Sequence, residues 1–256
     1  RAGDKTEQSA DGAKPDDGQA SGSTSSTAPQ SAAPSTTAAG KPSGTKGTTG
    51  GKSAPAARTP NPAATWTPPK DGKYTYKTEG DEEAQEVTFK TIDRSGGEVR
   101  QSTTGQFGGG NGSIETVWNA KGYFWEKLSG GDGTTSGSCE FQPPLQLLAQ
   151  PMAAGASWNF DSRCVIAFGA ESVEIRIYGT SKVVKADLVQ VGNTVVDVWV
   201  VERNTTTDFT YNGKANTTKA SATESWAPAY GLNVATTRTD EHGQSSKRML
   251  ESLDPK

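Results

Sequence analysis

From Arg1 to Ala64 the chain contains no Val, Ile, Leu, Met, Phe, Trp, Tyr or Cys. A segment without large apolar side chains has nothing to offset the chain entropy lost on ordering. Any folded core therefore has to come from residues 65–256. Residues 1–64, rich in Ala, Ser, Thr, Gly and Pro, are expected to form a long disordered tether. As a flexible coil such an arm spans about 40–48 Å, enough to hold a domain off a surface. Hydrophobic residues make up 31% of the whole chain. With the arm removed, roughly one residue in three of the remainder belongs to that class, which suffices for one core.

Charge is divided in the same way. The arm carries seven basic and five acidic residues, and its net +2 leaves −5 on the domain. All five acids of the arm precede Ala20. Its later part is basic but sparse, in keeping with a soluble linker. With no dense Lys/Arg cluster and a net charge of −3, a nucleic-acid partner is not expected. No apolar run approaches the length of a membrane-spanning helix. One His and two Cys exclude a zinc site built from several such ligands, and no cofactor is expected.

The pattern within residues 65–256 has period two. Lys73-Tyr74-Thr75-Tyr76-Lys77 and Glu86-Val87-Thr88-Phe89-Lys90 alternate polar and apolar residues. Two β-like runs flank Asn119-Ala120-Lys121-Gly122, and two more flank Gly192-Asn193. Turn signals recur every 8–14 residues. The fold class is all-β: a single curved antiparallel meander or barrel-like domain with at most one or two short helices. The stretch from Pro143 to Met152, bracketed by prolines, is the place for a helical turn or two. Ser245 to Leu253 reads as either a last strand or a short helix. The run from Thr194 to Val201 is apolar on both parities, which marks a strand covered on both faces.

Cys139 and Cys164 lie in β-like segments without CxxC spacing or a neighbouring His. In an exported domain they read as one disulfide. The chain begins with Arg, and a Ser/Thr/Pro-rich arm there fits a processed surface protein of the bacterial envelope. Attachment to a membrane is expected only through an anchor outside this chain.

Enzymatic constellations find no support. A Ser-His-Asp triad would have to use His242, which sits in a turn-like Asp240-Glu241-His242-Gly243, and there is no nucleophile elbow. The domain's acids include no pair that the sequence singles out for glycoside hydrolysis. The glycine-rich run from Gly105 to Gly112 precedes a strand pattern, whereas a phosphate loop requires a helix N-terminus. Asp132, in a second glycine-rich loop, would be the acid of any calcium site. No catalytic residue and no metal ligand are assigned.

Aromatic residues are the candidate ligand-binding group. Trp118, Tyr123, Trp125, Trp158, Trp199, Trp226 and Tyr230 could line a sheet face for a sugar or acyl chain, and Trp118, Trp125, Trp199, Trp226 and Tyr230 are the ligand-binding candidates among them. Asp197 stands as a carboxylate among Val and Trp, to be met either by a salt bridge or by a ligand.

Several short stretches carry a family resemblance: Gly72-Lys73-Tyr74-Thr75-Tyr76, Pro143-Pro144-Leu145, Gly155-Ala156-Ser157-Trp158, Val189-Gln190-Val191-Gly192 and Trp226-Ala227-Pro228-Ala229-Tyr230-Gly231-Leu232. In their order and spacing the chain, from about Trp66 on, resembles exported bacterial β domains of the DUF3108 type. That resemblance implies a curved or barrel-like antiparallel fold with no catalytic residues to carry over. A weaker resemblance is to actinobacterial envelope lipoproteins of the lipid-carrier half-barrel type, whose long helices have no counterpart in this pattern. Together these readings point to an exported binding or carrier module for an apolar or amphiphilic envelope molecule. The alternative is an interaction domain that docks a protein or cell-wall polymer.

Overall fold

The structure, a computed structural model, describes residues 58–80, 83–107, 110–131, 136–168, 171–211 and 213–256. The tether through residue 57, Gly108 and Gly109 of the first glycine-rich run, and Asp132 lie outside the described residues. The described residues from Arg58 to Lys256 belong to one compact unit.

Twelve strands follow in order: β1 (Gly72–Thr78), β2 (Gln85–Ser95), β3 (Glu98–Phe107), β4 (Gly110–Asn119), β5 (Gly122–Gly131), β6 (Ser136–Ala149), β7 (Ser157–Phe168), β8 (Glu171–Val191), β9 (Thr194–Tyr211), β10 (Lys214–Ala227), β11 (Leu232–Asp240) and β12 (Ser245–Leu250). Each pairs antiparallel with its neighbours in sequence, and β1 pairs with β12 to close the barrel. Among the described residues, closure leaves no edge strand. The all-β expectation holds, and there is no helix among the described residues.

The alternation read from the sequence sets the faces. Tyr74 opposes Val87 across β1 and β2, and all of Tyr74, Tyr76, Val87 and Phe89 are buried. The Gly192-Asn193 turn joins β8 to β9. β9 buries Val196, Val198 and Val200 in one core cluster, and of the other parity Val201 enters another. The covering on both sides expected from its doubly apolar pattern is therefore only partial: Val195 is 49% exposed, because a barrel wall turns one face outward.

One expectation is corrected. The stretch from Pro143 is not helical: residues to Ala149 continue β6. Its prolines fall where β6 bulges against β5, between the pairs Trp125↔Leu145 and Lys127↔Glu140. There the ladder asks for no N–H, so proline is tolerated in the strand. Leu145 and Leu148 still point into the core. At the other ambiguous place, Ser245–Leu250 is a strand, β12, which pairs on both sides.

Cys139 and Cys164 form the expected disulfide, with their Cα atoms 5.3 Å apart. It joins β6 to β7, where the described residues share a single registered pair, Gln142↔Arg163. Ser162 Oγ adds a hydrogen bond of 2.5 Å to the Pro143 carbonyl.

Candidate functional site

Residues 58–69 precede the first strand and run as a strap against the barrel. Arg58 pairs with Asp197 on β9 at 2.5 Å, and the Asn61 N–H donates to the same carboxylate at 2.9 Å. Trp199 Nε1 donates to the Ala63 carbonyl at 2.8 Å, and Met152 N–H to that of Ala64 at 2.9 Å. Farther along, Thr67 N–H donates to the Pro228 carbonyl, and Gln101 Nε2, on β3, donates to that of Pro69 at 2.8 Å. β9 and β3 are six places apart in a ring of twelve. The strap therefore reaches from one wall of the barrel to the opposite one. The sequence assigned residues 58–64 to the arm; here their backbone is engaged with the barrel.

Gly231 makes this approach possible. Its φ is +63°, and a Cβ there would come within 2.2 Å of the Thr67 carbonyl oxygen. Both conditions select glycine.

Trp66 projects from the strap into an aromatic socket. Its ring centroid lies 6.3 Å from that of Trp118 on β4 and 6.0 Å from that of Trp226 on β10, edge-on to the latter. β4 and β10 also stand opposite each other in the ring. Tyr123 completes the socket, stacked on Trp118 at 4.1 Å and 6.0 Å from Trp226. Such offset and edge contacts are the favoured aromatic geometries. Burial pushes the Tyr123 hydroxyl up to about 12, against the lowering effect of its hydrogen bonds with Trp125 and Thr116.

The structure thus brings four of the six proposed ligand residues to one place. Trp118 and Trp226 form the socket, and Trp125 and Trp199 pack against the same cluster, half-buried. Tyr230 packs instead against the other core, with Leu232 and Val234. Asp197 holds the strap through Arg58 and Asn61, so the salt-bridge alternative describes it in this structure.

Beneath the socket lies a buried ion pair that the sequence did not single out. Arg203 on β9 bonds Glu224 on β10 at 3.1 Å and the Leu147 carbonyl at 2.7 Å. Glu224 also accepts from Trp226 Nε1 at 2.9 Å. The two residues are not direct register partners, since Arg203 faces Ala222 and Glu224 faces Val201. A diagonal meeting of this kind follows from register, which no local pattern reveals.

A cleft of about 420 Å³ opens on the exposed face of β8–β11. Thr180, Asn204, Ser221 and Thr239 form one register row across it, flanked by Tyr178 and Lys219. The Arg176 guanidinium lies 4.5 Å over the Tyr178 ring. His242 sits in an exposed turn beside Glu241, and no cluster of potential metal ligands occurs among the described residues.

Neither the scan against protein-family models nor the search of curated proteins returns a match. The likeness to the DUF3108 type accordingly stands as a resemblance. Among solved structures, the chain is similar to a candidate lipoprotein from Parabacteroides distasonis, at 14% identity and a TM-score of 0.48, over 75% of this chain and 99% of that one.

Proposed function

We propose that this protein is an exported, envelope-tethered, non-enzymatic binding module that holds an apolar or amphiphilic molecule in the aromatic socket at the strap. The observation that carries this reading is Trp66. It comes from outside the twelve strands, yet its ring occupies the space between Trp118, Tyr123 and Trp226. A barrel whose aromatic interior is completed by a residue from outside its strands has a site that another apolar group can take. Export is supported by the disulfide, since such bonds persist in oxidising compartments, and by the composition of the arm.

Native mass spectrometry of the protein, purified without detergent from a host with a similar envelope, tests this reading, together with solvent extraction of the same sample. The expected result is a stoichiometric adduct whose extract contains an apolar or amphiphilic molecule. A clean protein mass would count against it.

The polar cleft on β8–β11 favours a second reading, docking to a hydrated polymer of the cell wall. Its hydroxyl and amide row with one aromatic ring is suited to a glycan. Co-sedimentation with insoluble wall material, lost on replacing Tyr178 and Asn204 by Ala, would support it.

A further inference from the structure

Eight buried side-chain atoms have no hydrogen-bond partner among the described residues. Four can only donate: the indole N–H groups of Trp66, Trp118 and Trp158, and Nη1 of Arg203. Three are the hydroxyls of Thr75, Thr103 and Ser181, which can act either way. Only Gln101 Oε1 is purely an acceptor, and its amide is already tied to the strap at Pro69.

The four donors gather at the socket. Trp118 belongs to it, and Trp66 and Trp158 pack against its cluster. Arg203 is joined to it through Glu224, which also binds Trp226. Trp158 stands opposite Ser181 on β8, and Ser181 opposite Arg203 on β9. Three unpartnered polar atoms therefore belong to one register row on neighbouring strands, which run about 4.8 Å apart. Buried polar groups are ordinarily satisfied, so a site this rich in donors is complementary to an acceptor.

Charge narrows the kind of acceptor. Arg203 and Glu224 already compensate each other at 3.1 Å. A carboxylate or phosphate would bring a further negative charge among indole rings, which is costly without a second cation. A water molecule accepts from two such donors and can return one O–H group to the Ser181 hydroxyl, so it is the competitor that an apolar molecule has to displace. A neutral carbonyl oxygen only accepts.

We infer that the socket binds a neutral, apolar molecule through a carbonyl oxygen whose two lone pairs accept from donors of the Trp158, Ser181 and Arg203 row, and that Trp66 yields its place as the apolar part enters. The inference rests on the binding reading above and adds the chemical class of the ligand.

Three probes of similar length test it on the full chain: methyl decanoate, a neutral ester; decanoate, an anion; and decane, which has no acceptor. Affinities come from quenching of tryptophan fluorescence. The ester is expected to bind roughly tenfold more tightly than either of the others, the difference that one good buried hydrogen bond makes. Ser181→Ala removes a donor at nearly constant volume and should shrink the ester's advantage over decane while leaving decane unchanged; Trp158→Phe removes the indole N–H but keeps an aromatic ring, and should shrink the same advantage. Trp66→Ala should strengthen binding of all three; if circular dichroism shows it unfolded, the Trp158→Phe comparison carries the test. Equal affinity for ester and decane would overturn the acceptor inference and leave the binding reading standing. Tighter binding of decanoate would overturn the neutrality argument alone. Failure of all three probes to bind both the native chain and a folded Trp66→Ala variant would remove the binding reading and this inference together.

Discussion

Cys139 on β6 is bonded to Cys164 on β7 beside the Gln142↔Arg163 pair, the single register contact that the described residues make along that seam. The neighbouring seams are paired along much of their length: β7 and β8 run in register from Ser157↔Lys182 to Phe168↔Glu171. The covalent bond thus crosses the barrel wall where its ladder is thinnest.

Removing that bond should be felt at the seam first. The loop it closes, with a sequence separation of 25, corresponds to about 3–4 kcal/mol on the chain-entropy estimate. Cys139→Ser with Cys164→Ser should lower the melting temperature accordingly. Hydrogen exchange should accelerate in β6 and β7 before it does in β8 and β9. Uniform acceleration around the ring would show that the seam is not the weak point.

The strap should come loose without the barrel. Arg58 is 59% exposed, and an ion pair that open contributes only ~0.2–1 kcal/mol. Asp197→Ala should therefore leave the global melt nearly unchanged, while limited proteolysis around residues 58–65 becomes faster. Gly231→Ala, which drives a methyl group at the Thr67 carbonyl, should loosen the same segment from its other side. A large loss of global stability in Asp197→Ala would mean that the strap is integral to the barrel.

Arg203 and Glu224 should behave as a buried pair. Their side chains are 8% and 15% exposed. Taking away one partner leaves an uncompensated charge and costs about 3–5 kcal/mol. Arg203→Leu and Glu224→Leu should each be strongly destabilising. The double replacement should be milder than the sum of the two. Additive losses in chemical denaturation would sever the proposed coupling.

Alkaline stability should fall in a defined window. Burial raises the Tyr76 hydroxyl from its ordinary 10.0 to about 12, partly offset by the Arg248 guanidinium lying over its ring. Tyr123 is pushed up to about 12 by the same cause. A raised tyrosine keeps its proton in the folded state at pH values where the unfolded chain releases it. Its contribution is complete below about pH 10 and is lost as pH climbs towards 12. Burial raises the Tyr74 hydroxyl as well, so phenolate absorbance should show late-titrating tyrosines, Tyr76 and Tyr123 foremost, that ionise with unfolding, and Tyr76→Phe should flatten the alkaline limb of the stability curve.

The parts of this architecture that depend on neighbours in sequence were legible in it. Tyr74 and Tyr76, or Val87 and Phe89, announce a buried face by alternation alone, and Gly192-Asn193 announces its turn. Pro143 misled because its ring reads as a helix bracket, when a bulge opposite Glu126 accommodates it in a strand. Trp66 was hidden by its place at the edge of a featureless arm: its role depends on two walls of the barrel meeting around it. Arg203 and Glu224 were hidden for a similar reason, since their contact is diagonal across β9 and β10. Among the aromatic candidates, Trp118 and Trp226 come together through barrel closure, while Tyr230 is carried by the β10–β11 turn into the other core.

Because every strand lies beside its neighbour in sequence, and β1 and β12 meet at Tyr76↔Leu250, the ring has no privileged first strand. Lys73 and Lys256 exchange backbone hydrogen bonds of 3.3 and 2.9 Å, so the two ends of the barrel already touch. Joining Lys256 by a linker to Arg58, at the start of the strap, and reopening the chain at the Gly192-Asn193 turn should give a circular permutant with the same neighbours throughout. In such a permutant the strap would be an internal loop held at both ends.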